Sequence, residues 1–173
     1  MKNLVIGLFL TFIACGQNTN QHKPDEKVAT NFDKHIGIYE YVYPDNTQNL
    51  TENHFIVLTK NGDKINGLYY GTSDEFDEAR EGYLPGFFVS PMDNLQINGD
   101  TIRFGLNTKN SDFLTKSVDL KIQSTKEAIN AGYKNWENNI PTAPKTYIGL
   151  IKDSKTIFFK GEQEFMDKTF KRK

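Results

Sequence analysis

From Ile36 onward the chain consists of short apolar runs broken by Asn, Asp and Gly, the rhythm of an antiparallel β domain. Residues 36–43 alternate, with Ile36, Ile38 and Val42 on one face and Tyr39, Tyr41 and Tyr43 on the other. Pro44-Asp45-Asn46 then stops the strand. A second strand is expected over 54–60, and Asn61-Gly62-Asp63 makes a tight turn into a third over 65–71. Further strands are expected over 86–90, 95–97 and 101–106, the last two joined by Asn98-Gly99-Asp100. Residues 117–123 alternate most cleanly, with Val118, Leu120 and Ile122 facing in and Ser117, Asp119 and Lys121 facing out. Strands over 147–151, 156–160 and around 165–170 complete the set.

Two short helices interrupt this pattern. Thr72 and Glu75 have the spacing of a capping box, and Phe76, Ala79 and Tyr83 would share a face near the stop at Gly82. Ser124 and Glu127 repeat the signal, with Ile129, Tyr133 and Trp136 at helical spacing and Gly132 weakening the helix. The expectation is therefore a mainly β fold over 31–173, a single antiparallel β-barrel or β-sandwich carrying one or two short helices.

The N-terminus has a different character. Lys2 supplies a positive charge, and residues 4–13 form an apolar stretch shorter than the roughly 20 residues of a membrane-spanning helix. Phe12-Ile13-Ala14-Cys15-Gly16 resembles the bacterial lipobox. That resemblance covers the first 16 residues and implies removal of a signal peptide, 1–14, and lipidation of Cys15. Several acyl chains, at about 0.8 kcal/mol per buried methylene, would hold such a protein on a bilayer. Gly16, standing where an Asp marks inner-membrane retention in that family, implies an outer-membrane protein facing the periplasm. Residues 15–30 carry almost nothing apolar and read as a flexible tether.

Gly37-Ile38-Tyr39, opening a strand-rich single domain, resembles the first strand of lipocalin-like barrels. The resemblance implies an up-and-down barrel with an internal ligand cavity. In that family the main helix follows the barrel strands, whereas here the helix at Ser124 precedes three more strands.

Charge and composition exclude some chemistry. A formal net charge of −1 gives no electrostatic reason to expect nucleic acid as a partner. Cys15 is the only cysteine, so its lipidation would leave no thiol for disulfides, nucleophilic catalysis or metal binding. Thirteen Phe and eight Tyr supply bulky, β-favouring side chains for the core.

Asp74, Asp77, Glu78 and Glu81 would lie along one face of the first helix, where a solvated acidic face competes with a weak cation site. His22 lies in the tether, and His35 and His54 begin consecutive strands. Paired as a hairpin, those two would stand roughly 25 Å apart at about 3.3 Å per residue, too far to share a metal. No Gly-x-Ser-x-Gly elbow is present. Neither a cofactor nor a metal site is expected, and the protein is read as a non-enzyme.

The candidate binding residues are Tyr39, Tyr41, Tyr43, Tyr69 and Tyr70. Around a cavity they could stack on a sugar or a flat apolar ligand while offering hydrogen bonds; the alternative is cross-strand packing. Residues 82–92 add an aromatic, proline-bounded stretch that either rims such a site or enters the core. Asp100-Thr101-Ile102 resembles a bacterial O-glycosylation signal. The expected function is a membrane-anchored envelope lipoprotein that binds a small ligand or glycan, held to the lipid bilayer through Cys15. The alternative is a protein-interaction module, such as an assembly factor, inhibitor or immunity-type lipoprotein acting on another envelope protein.

Overall fold

A computed structural model describes residues 32–42, 54–72, 76–77, 82–83, 86–136, 142–161 and 167–173, all within the compact unit Asn31–Lys173. Cys15, the tether and Tyr43 lie outside the described residues. In chain order the strands are β1 (Gly37–Tyr41), β2 (Phe55–Asn61), β3 (Lys64–Thr72), β4 (Phe76–Asp77), β5 (Gly82–Tyr83), β6 (Phe87–Pro91), β7 (Asp93–Asn98), β8 (Thr101–Leu106), β9 (Lys145–Asp153), β10 (Thr156–Phe159) and β11 (Lys168–Arg172). Nine of them form one antiparallel sheet in the order β6-β3-β2-β1-β11-β10-β9-β8-β7.

A ring of purely antiparallel strands needs an even number of members, and β6 and β7 supply the reconciliation. They are separated only by Met92, whose N–H donates to the Gly67 carbonyl at 2.9 Å and so prolongs the β6–β3 pairing. Beyond Met92 the chain turns away to pair with β8. The two segments thus act as one bent strand, and the sheet is an eight-membered up-and-down barrel closed by β11 against β1. It stays open along a seam between β3 and β7, which share no ladder among the described residues.

The two ends differ. At one, the turns after β2 and β7 are two residues long and begin with Gly62 (φ +60°) and Gly99 (φ +63°), left-handed positions that favour glycine. Ser154-Lys155 makes the third short turn there. The 3-10 turn Phe32–His35 lies at this end too, tied down by the Tyr39 hydroxyl, which donates to the His35 carbonyl at 3.0 Å, and by Arg172, which donates to the carbonyls of Lys34 and Ile36. The longer connections all leave the strands at the opposite end, the mouth.

Along each strand alternate residues face inward, and an eight-stranded barrel is just wide enough for side chains to fill. The interior holds Tyr39, Ile56, Leu58, Tyr69, Phe88, Ile102, Phe104, Ile151, Ile157, Phe159 and Phe170. Small positions make room for large ones. A Cβ at Gly149 would stand 2.6 Å from the Phe159 ring, and one at Gly71 2.7 Å from Phe88.

A second core lies outside the barrel, where Phe55, Tyr70, Phe87 and Val89 are covered by Leu114, Val118, Ile122 and Ala128. The covering segment is a strap between β8 and β9. Leu114 bridges to Phe87 on one side and Asn135 on the other, and the strap includes the helix α1 (Thr125–Asn130).

Three expectations are corrected. The described part of the first expected helix is strand instead: Thr72 ends β3, and Phe76 pairs with Tyr83 and Asp77 with Gly82 as β4 and β5, in keeping with the high β propensity of aromatic residues. The common helical face for Asp77 and its acidic neighbours therefore disappears; Asp74, Glu78 and Glu81 lie outside the described residues. Residues 117–123 are not a strand but turn locally, the Ile122 N–H donating to the Asp119 carbonyl and the Lys121 N–H to the Asp119 carboxylate, each at 2.9 Å. The helix at Ser124 forms, with the Ser124 hydroxyl accepting from the Glu127 N–H at 3.2 Å, but it ends at Asn130 ahead of Gly132 (φ +87°). It buries Ala128 and leaves Ile129 exposed.

Candidate functional site

The predicted tyrosines are divided by the sheet. Tyr69 and Tyr70 are adjacent and so point to opposite faces. Tyr39, Tyr41 and Tyr69 face the barrel interior, whereas Tyr70 faces out beneath the strap. The Tyr70 hydroxyl donates to the Ile122 carbonyl at 2.7 Å and the Leu120 carbonyl at 3.2 Å. Burial pushes it up to about 12, with Glu127 and Asp119 adding to the effect. Tyr70 is a structural clamp and leaves the candidate site.

Tyr39 and Tyr69 are buried, at 0% and 2% exposure. Register aligns them across β1, β2 and β3, since Tyr39 pairs with Ile56 and Ile56 with Tyr69. Tyr39 serves the closed end, where burial raises its hydroxyl above the ordinary tyrosine range. The Tyr69 ring lies 5.6 Å from Tyr147, 6.0 Å from Phe88, 6.1 Å from Phe170 and 6.2 Å from Phe104, so other rings fill the space beside it.

Toward the mouth the interior becomes more polar. His54, the residue before β2, is buried yet within reach of three polar partners. Its Nε2 accepts from the Thr72 N–H at 3.3 Å and lies 2.8 Å from the Thr72 hydroxyl, which places the ring proton on Nδ1, 3.3 Å from the Tyr69 hydroxyl. Tyr41 tilts over His54 at 5.8 Å and over Phe170 at 5.6 Å, and Tyr147 stacks on Phe104 at 5.1 Å. Tyr41 and Tyr147 are both half-buried. Tyr41 and Tyr147 thus lie over a buried floor of His54, Tyr69, Phe104 and Phe170, and their half-buried rings are of the kind that stack on a flat or ring-shaped molecule.

Of the predicted residues, Tyr41 stands at this rim and Tyr69 in its floor. Tyr147 and His54 were missed as binding residues. The signal for Tyr147 was the alternation Tyr147, Gly149, Ile151, in which glycine holds a core position. For His54 the partner Thr72 lies 18 residues away, beyond any local pattern.

The other histidine in the domain, His35, belongs to the 3-10 turn at the closed end rather than to a strand, so the two lie at opposite ends of the barrel. Burial, then the positive charges of Lys34 and Arg172, hold His35 below its ordinary value, and its Nδ1 has no hydrogen-bond partner. Among the described residues no group of three or more His, Cys, Asp or Glu stands where it could hold a metal ion. Thr101 begins β8 with its hydroxyl 3.3 Å from the Asp100 carboxylate, and Ile102 is wholly buried. Comparison of the chain with protein families, with curated proteins and with solved structures finds no match.

Proposed function

We propose that the protein is a non-enzymatic binding barrel of the bacterial cell envelope, anchored to a membrane through lipidated Cys15, that takes a small ring-bearing ligand or a glycan at its mouth. The observation that carries the binding reading is the polar group His54, Tyr69 and Thr72, set between Tyr41 and Tyr147 at the end of the barrel from which its longer connections leave. Loops on a rigid scaffold are where binding residues concentrate, and the mouths of β-barrels are favoured ligand sites. His54 is engaged through both ring nitrogens, which suits it to holding the Tyr69 and Thr72 hydroxyls in place beside the rim. The anchor rests on the lipobox resemblance of residues 12–16.

Two experiments test the two halves. Intact mass of membrane-extracted protein should begin at Cys15 and include acyl chains, with none on a Cys15→Ala variant; a free thiol on the full chain would remove the anchor. For binding, a panel of neutral oligosaccharides and flat aromatic fragments is screened against the protein. A hit should weaken at least tenfold in Tyr41→Ala and in Tyr147→Ala and stay unchanged in Tyr70→Phe. A hit indifferent to both rim tyrosines would overturn the mouth as the site.

A second reading, a protein-interaction module, is favoured by one observation. Ile148 and Leu150 project from the outer face of β9 at 57% and 41% exposure, beside the partly exposed Phe158 of β10. Adjoining apolar side chains of this kind are typical of contact surfaces. Crosslinking in envelope extracts, lost on Ile148→Lys, would support that reading over the first.

A further inference from the structure

The seam between β3 and β7 opens into a groove of about 510 Å³ on the outside of the barrel. We infer that this groove is a lateral binding site, separate from the mouth, for a neutral single-chain amphiphile bearing a hydroxyl or amide head.

The groove is graded in polarity from floor to rim. Its floor is buried and apolar, formed by Ile65 and Met92, and its walls by the half-buried Leu68, Leu95 and Leu120. At the exposed rim stand the carboxamides of Asn66, Asn94 and Gln123. A hydrocarbon body fits the floor and walls, and the rim amides both donate and accept hydrogen bonds, as a hydroxyl or amide head requires.

Charge decides what kind of head it takes. None of the twelve lining residues is ionisable, in a chain of which one quarter is charged. The contrast with the neighbouring depression of about 430 Å³ is direct, since four of its ten lining residues are Asp93, Lys109, Asp112 and Lys126. An ionic head in the β3–β7 groove would meet no counter-charge among the lining residues, whereas a neutral one needs none.

Local backbone geometry supports a built site. The ladder between β7 and β8 is irregular between Asp93 and Gln96, and Asn94 takes φ +51°, the one left-handed non-glycine residue among those described. Bulges of this kind re-aim side chains at functional positions. At the floor, a Cβ on residue 67 would lie 2.3 Å from the Met92 sulfur, so only glycine lets Met92 lie across the seam. Met92 is flexible and polarisable, a side chain able to shift around an inserted chain.

The full-length protein, labelled at its methionine methyls, gives a direct readout, since the chain's other two methionines are Met1 and Met166. It is titrated with octyl β-D-glucoside below its micelle threshold, and in parallel with octyl sulfate and octyltrimethylammonium. The expected result is a saturable shift of the Met92 methyl with the glucoside and at least fivefold weaker responses to both ions. Asn66→Ala/Gln123→Ala, confined to exposed side chains, should weaken the glucoside at least fivefold without lowering the unfolding temperature. No saturable shift, equal responses to the three heads, an unchanged affinity in the double variant, or a shift abolished by Tyr41→Ala at the mouth would each overturn the assignment.

Discussion

Replacing Tyr70 with Phe removes one hydroxyl and leaves the ring in place, so it isolates what holds the strap to the barrel. That hydroxyl serves two carbonyls, Ile122 at 2.7 Å and Leu120 at 3.2 Å. Ile122 is buried, so its carbonyl would lose its donor without gaining water, whereas half-buried Leu120 is better placed to recruit a solvent replacement. Leaving a buried acceptor unsatisfied costs about 1–3 kcal/mol, and about 2 kcal/mol is expected here. The unit Asn31–Lys173, at about 2.1 cal/mol/K per residue, has an unfolding entropy near 0.3 kcal/mol/K, so the melting temperature should fall by about 7 °C.

The same hydroxyl makes an alkaline prediction. Its folded value is raised to about 12 from 10.0. Between those two pH values the unfolded chain ionises while the folded one stays neutral, so its stabilisation is complete below pH 10 and is lost as pH rises toward 12. Thermal unfolding by near-ultraviolet circular dichroism at pH 7, 10 and 11.5 should show wild type losing more stability than Tyr70→Phe across the alkaline range. Some loss should persist in the variant through Tyr39, whose value is also raised. A variant within 1 °C of wild type at pH 7, with an identical alkaline decline, would refute the clamp.

Further outcomes are expected elsewhere in the barrel. Gly149→Val should destabilise by about 1–3 kcal/mol, read as a lower urea midpoint at unchanged slope, because its side chain meets the Phe159 ring. For His35, whose folded value is depressed, stability should be complete above pH 6.5 and decline as pH falls below it; His35→Gln should flatten that part of an acid-unfolding curve. Ser124→Ala should cost about 1 kcal/mol in chemical denaturation by removing the hydroxyl that accepts from the Glu127 N–H.

Much of this architecture is legible in local chemistry. The turns at Gly62 and Gly99 were marked by Asn-Gly-Asp, and β2, β3 and β8 follow from the alternation on either side of them. The strap was not legible as such. Val118, Leu120 and Ile122 have the spacing of a strand, yet Asp119 offers its own carbonyl and carboxylate to the backbone, and the apolar residues meet the outer face of the sheet one turn at a time. The candidate site was half legible for a related reason. Tyr39, Tyr41 and Tyr69 share the interior as alternation requires, while Tyr70 could not join them from the next position along the strand. Tyr147 was obscured because Gly149, the next inward position, makes room for Phe159 across the β9–β10 pairing, a non-local demand.

A ligand site at the mouth would show itself in a map of where a ligand touches the barrel. Nitrogen-15 amide spectra of the protein, recorded during titration with the oligosaccharide or aromatic fragment that binds best, locate the contact residue by residue. Saturable shifts should concentrate at Tyr41, His54, Thr72 and Tyr147, with Ile148, Leu150 and the closed end around His35 unmoved. Shifts confined to the outer face around Ile148 and Leu150, with the mouth silent, would contradict it and make the protein an interaction module.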